Sequence, residues 1–150
     1  MAEPVPAPEQ IMIALETLLN TLSGVTVERN VDEEITTLPA IALMDGDTDS
    51  EPLSPYERRY TMTFELVYLV EGSGGRINGP AISGLWAQVV ALFSANETLG
   101  GIVRYMEEVS LVREGSERDE GRVPTGGAIH SWRTEFYTGV GQPYTLLTTS

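Results

Sequence analysis

The chain has 150 residues, enough for one domain with a real core, and its 22 acids against 9 bases leave a formal charge of −13. Such a surface repels phosphate backbones and anionic membranes, which disfavours ordinary nucleic-acid binding. With no cysteine there is no disulfide frame, zinc–thiolate site or thiol nucleophile, and no run of about 18 apolar residues offers a membrane span.

Residues 1–7 read as an extended lead-in, because Pro4, Pro6 and Pro8 interrupt any helix there. Residues 8–22 are predicted as an amphipathic helix. Pro8 suits a first helical position, Glu9 complements the dipole, and Ile11, Leu15, Leu18 and Leu22 make one stripe. Ser23-Gly24 stops it. Val25–Arg29 is a short strand, Asn30–Leu38 a loop, and Pro39–Met44 a second strand placed at a sheet edge by its leading proline. Asp45–Pro55, with four acids and two prolines, is expected to be a mobile polar loop.

Tyr56–Val70 organises the rest. Tyr60, Met62, Phe64, Leu66, Tyr68 and Val70 alternate with Thr61, Thr63 and Glu65, then with Val67 and Leu69. That two-residue period marks a central strand, covered on both faces toward its C-terminal end. Glu71–Gly79 is a glycine-rich turn, and Pro80 opens a second helix running to about Asn96. Its stripe should lie across the sheet, with Leu85, Trp86, Val89 and Phe93 against Tyr60, Phe64 and Leu66. Ile102–Val112 is a strand with Val103, Tyr105, Val109 and Leu111 on one face and a bulge or wet position at Glu107. Glu114–Gly127 lacks an apolar stripe and is expected to be a long mobile loop. Ala128–Thr138 is the last strand, with Trp132 and Phe136 opposite Arg133 and Glu135. Gly139–Ser150 reads as a tail kinked at Pro143. The expected fold is α+β: an antiparallel or mixed sheet of about four or five strands with two helices packed on it, spanning 8–140 between the lead-in and a tail at 141–150.

Candidate chemistry is sparse. Asp45-Gly46-Asp47-Thr48-Asp49-Ser50-Glu51 resembles the start of a calcium loop, but Ser50 and Tyr56 stand where that loop needs Gly and Glu. The glycines of 72–79 lack the Gly-Lys-Ser/Thr ending of a phosphate loop. His130 is the one histidine, with neither zinc partners nor a nucleophile elbow, and is read as structural. Glu107 and Glu108 are adjacent in a strand, so they point to opposite faces and make a poor acid–base pair. Neither a metal nor a cofactor is expected. Arg58-Arg59 face opposite ways, either bridging to the preceding acids or pairing with the acidic surface of a neighbouring copy.

The succession of elements resembles the tail-terminator proteins of long-tailed bacteriophages, the group of lambda minor tail protein U. The resemblance covers residues 8 to 140. It is carried by the Ile11, Leu15, Leu18, Leu22 helix, the strand pair ending at Tyr56–Val70, the Leu85-Trp86 helix, the strand Tyr105–Val112, and the closing Ser131-Trp132-Arg133-Thr134-Glu135-Phe136-Tyr137. It implies a non-enzymatic homo-oligomeric ring, commonly a hexamer, in the virion at the head-proximal end of the tail tube. The ring would stop tube polymerisation and meet the neck or connector proteins, while DNA passes its lumen without specific binding. The acidic charge suits a lumen that must not hold phosphate. Arg58, Arg59, Asp47 and Asp49, together with Glu117, Arg118, Asp119 and Arg122 of the second polar loop, are the candidate contacts. A DNA mimic would instead need its carboxylates in a double row, whereas these cluster at 28–34, 45–51 and 107–120. A small-ligand or metal-dependent enzyme is argued against by the single histidine and absent cysteine.

Overall fold

The computed structural model describes residues 3–30, 37–71, 79–113 and 126–148. It contains α1 (Ala7–Leu19), β1 (Thr26–Arg29), β2 (Ala40–Pro52), β3 (Glu57–Val70), α2 (Gly79–Ser94), β4 (Tyr105–Arg113) and β5 (Gly126–Gly139). The strands form one mixed sheet in the order β1-β2-β3-β5-β4, parallel between β1 and β2 and antiparallel elsewhere, so the fold is α+β. β3 pairs along its whole length with β5, from Glu57↔Gly139 to Val70↔Gly126, and is central as its alternation requires. β3 and β4 run parallel with β5 between them, and α2 makes the crossover.

Strand alternation decides what the helices cover. Met62, Phe64, Leu66, Tyr68 and Val70 of β3 share a buried face with His130, Trp132, Thr134 and Phe136 of β5. On that face α1 contributes Ile11, Met12, Leu15 and Leu19, and α2 contributes Ile82, Leu85, Val89 and Phe93. Phe93 is the hub: its ring meets Trp132 edge-on at 4.7 Å and Phe64 at 6.2 Å. Tyr60 stacks on Phe136 at 5.1 Å, extending the aromatic row toward the end of the sheet. Trp86, expected in this core, is only half-buried at its border, because it sits one helical step to the side of the Leu85–Val89–Phe93 line.

Four sequence expectations are corrected. β2 is not an edge strand over Ala40–Leu43; β1 and β3 flank it there, and Pro39 stands just outside the ladder, where its missing N–H costs no bond. Asp45–Pro52 is not a loop but the continuation of β2, paired with β3 from Asp45↔Phe64 to Pro52↔Arg58; only 53–56 turn. In β4 the register shifts between Glu108 and Ser110. Leu111 therefore reaches the core, Tyr105 takes the opposite face with Glu135, and Val109 is left exposed. The C-terminal segment is docked rather than trailing. Leu147 N–H donates to Tyr137 O at 2.9 Å, Leu146 packs on the core, and Pro143 O accepts from the Ala7 N–H at 2.8 Å, one of the free donors at the start of α1. The expected loop Glu114–Gly127 lies outside the described residues up to Thr125, and the glycine-rich turn lies outside them over residues 72–78.

Candidate interaction surfaces

The distal half of the sheet, beyond the reach of β1, presents two unlike edges. On one side β2 from Gly46 to Pro52 pairs with β3 alone, so its outer backbone groups face outward. On the other, Leu146-Leu147 close against Thr138 and Tyr137 at the end of β5. The acids along the β2 edge are not equivalent. Asp45 pairs with Arg29, which also grips Glu9 of α1; the Arg29 guanidinium donates at 2.8 Å to both carboxylates and holds the Glu9 carboxyl below its usual range. Glu51 pairs with Arg59, its directly opposite neighbour. Asp47 and Asp49 have no ion pair among the described residues.

Arg59 bridges to a preceding acid, and Arg58 reaches the Ser50 hydroxyl on the other face, at 3.0 and 3.1 Å. Their alternation is as the strand requires, and Asp47, Asp49, Arg58 and Arg59 lie together on the β2–β3 arm. Glu117, Arg118, Asp119 and Arg122 lie outside the described residues. The stretch that resembled a calcium loop is a paired strand, and among the described residues no group of three or more His, Cys, Asp or Glu converges as metal ligands would.

The arm is set by a register shift between Asp45 and Thr48. Gly46 lies within it, so close to β3 that a Cβ would overlap the Thr63 carbonyl and hydroxyl oxygens. Thr63 Oγ1 accepts from the Asp47 N–H at 3.1 Å. Gly46→Ala is expected to destabilise the protein by about 1–3 kcal/mol, because backbone rather than a flexible side chain must give way. Urea unfolding measures this; an unchanged midpoint would show that the arm is not fixed there.

The face of the sheet away from the helices is polar toward this distal end. Glu107 pairs with Arg133 at 2.9 Å, and Arg59 and Glu51 continue the charged row. At its other end Ala40 and Ala42 are shielded by Leu38, Met44, Val67 and Leu69. An open cavity of ~760 Å³ lies at the tip, where Tyr56, Glu57, Arg104, Val140 and Leu147 meet. Sequence reading missed Arg104. It stands after Gly100-Gly101 like any strand-leading residue, and its partner Tyr137 is far along the chain.

A second cluster sits under α2. His130 is fully buried; its Nδ1 meets the Tyr68 hydroxyl and its Nε2 lies 2.5 Å from Glu108 Oε2, which also accepts from the Trp86 indole N–H at 2.7 Å. The consistent assignment is a neutral imidazole, accepting from Tyr68 and donating to Glu108. Burial lowers the His130 pKa, against the opposing pull of Glu108, and burial raises that of Tyr68. Glu107 meanwhile faces Arg133 on the other side of the sheet, as alternation demands. The cluster ties α2, β3, β4 and β5 together, and Tyr68 and His130 are closed to solvent. Its chemistry is that of a structural bridge.

The class defined is thus a two-layer α+β domain with an extended, asymmetrically edged sheet. The sequence matches no protein-family model and no curated protein.

Proposed function

We propose that this protein is a non-enzymatic virion subunit whose copies form a ring, most simply of six, capping the head-proximal end of a phage tail tube. The ring stops tube polymerisation and joins the tail to the neck or connector proteins. The observation that carries this reading is the pair of unlike edges at the distal end of the sheet. Unlike edges join head to tail, and head-to-tail contacts close into rings when the rotation permits. A cap on a sixfold tube gains matched contacts only by sharing its symmetry. The element order resembles that of tail terminators, and −13 per subunit favours a lumen that DNA passes without adhering.

The same edges would serve a connector ring of the neck, so the test must separate the two. Native mass of the purified chain should give a closed homo-oligomer, and electron microscopy of particles lacking the protein should show over-long tails without heads. Tails of normal length that merely lack heads would assign the ring to the neck. A chain that stays monomeric at high concentration and does not bind tube ends would overturn the ring altogether.

A further inference from the structure

Arg104 is the feature the fold itself does not explain. Its backbone N–H extends the β4–β5 ladder to Glu135 O at 2.7 Å, and its guanidinium carbon lies 4.0 Å from the centroid of the Tyr137 ring. Its Nε is buried without a hydrogen-bond partner among the described residues. Arg29, Arg59 and Arg133 each hold a carboxylate, and among the described residues no ion pair involves Arg104. A stacked and partly desolvated guanidinium with no carboxylate partner among the described residues is a prepared recognition group. Its planar fork matches a carboxylate. At the mouth of the cavity it lines, Tyr56 is 82% and Val140 56% exposed, and Leu53 is exposed in the adjoining turn. Large apolar side chains around one cation form the kind of centre that protein contacts use.

We propose that this cavity receives Asp49 from a neighbouring copy, so that the acidic β2 edge of one subunit docks on the Arg104–Tyr137 end of the next. The proposal rests on the ring reading and specifies its contact. Three observations select Asp49. It lies on the opposite edge of the sheet from Arg104, as a head-to-tail joint requires. Through Asp49↔Thr61 and Arg59↔Tyr137 it shares the face of the Tyr137 ring, so two sheets joined edge to edge bring the two groups to one side. Asp45 and Glu51 are already held by arginines within the subunit, and Asp47 sits inside the register shift. Glu57 also lines the cavity and opposes an incoming carboxylate, giving a sign to test.

The experiment is native mass and light scattering of the full chain across a concentration series, with circular dichroism to confirm folding. Arg104→Glu and Asp49→Arg should each raise the assembly midpoint at least tenfold, and the reversed pair should restore it toward wild type. Such rescue cannot come from a subunit that merely fails to fold. Glu57→Gln, a milder change, should lower the midpoint. Rings of Arg104→Glu with an unchanged midpoint, or a Glu57→Gln variant that assembles less well, would overturn the proposed contact while leaving the ring in place. A wild-type chain that never assembles would overturn both.

Discussion

Phe93→Ala is expected to destabilise the protein by about 3–5 kcal/mol, the range for removing a fully buried aromatic side chain. The side chain is 1% exposed and stands at the centre of the contact between α2 and the sheet, edge-on to both Phe64 and Trp132. Its removal leaves a void that neighbours fixed in a sheet cannot collapse into, and it forfeits two aromatic contacts. Denaturant unfolding followed by tryptophan fluorescence gives the value directly. Trp86→Ala should cost clearly less, because Trp86 lies at the border of the core. If the order of the two losses were reversed, α2 would have to be rotated about its axis from the position described.

His130→Leu is expected to cost roughly 2–3 kcal/mol and to change the acid limb of stability. Leucine fills most of the space but leaves the buried Tyr68 hydroxyl without its acceptor and takes one donor from Glu108. Tyr68→Phe removes the orphaned hydroxyl, so the double variant should lose less than the sum of the singles. The pH dependence has a definite sign. Tyr68 from β3, Glu108 from β4 and the Trp86 indole from α2 surround the imidazole, whose folded-state pKa lies below the ordinary 6.5. The unfolded chain therefore binds the proton more readily. The contribution is fully present above about pH 6.5 and is lost as pH falls through the lower folded-state value. In the protonated state Nδ1 can no longer accept from Tyr68. His130→Leu should flatten this part of the stability–pH curve. Equal acid slopes for wild type and variant would show that the imidazole is not held neutral by its surroundings.

An exposed strand edge in an isolated subunit invites uncontrolled pairing, and acids along it discourage that outcome. In the proposed contact the same acids would become specific, because the partner would offer one arginine at the right height. Asp49 and Arg104 would thus both limit and direct association, and salt should weaken assembly through the exposed parts of the contact.

The two helices, the central strand and the closing strand were legible in the sequence because each buries one face. The 3.6-residue period of Ile11, Leu15 and Leu19, and of Ile82, Leu85, Val89 and Phe93, and the two-residue period of Met62 to Val70, record that burial. The opposite directions of Arg58 and Arg59, and of Glu107 and Glu108, followed from the same alternation. What the sequence could not show is held by backbone pairing, which leaves no apolar signature. Asp45–Pro52 looks like a loop because it lies exposed past the helices, yet β3 supplies its hydrogen bonds. The shift at Glu108/Ser110 exchanges the faces of β4 through one residue, and the docking of Pro143 and Leu147 joins segments more than a hundred residues apart or across a turn. Arg104 meeting Tyr137, and Glu108 meeting His130, are likewise products of strand order. Local periodicity fixed which faces are covered; only the tertiary structure decided which edges remain open and which charges they carry.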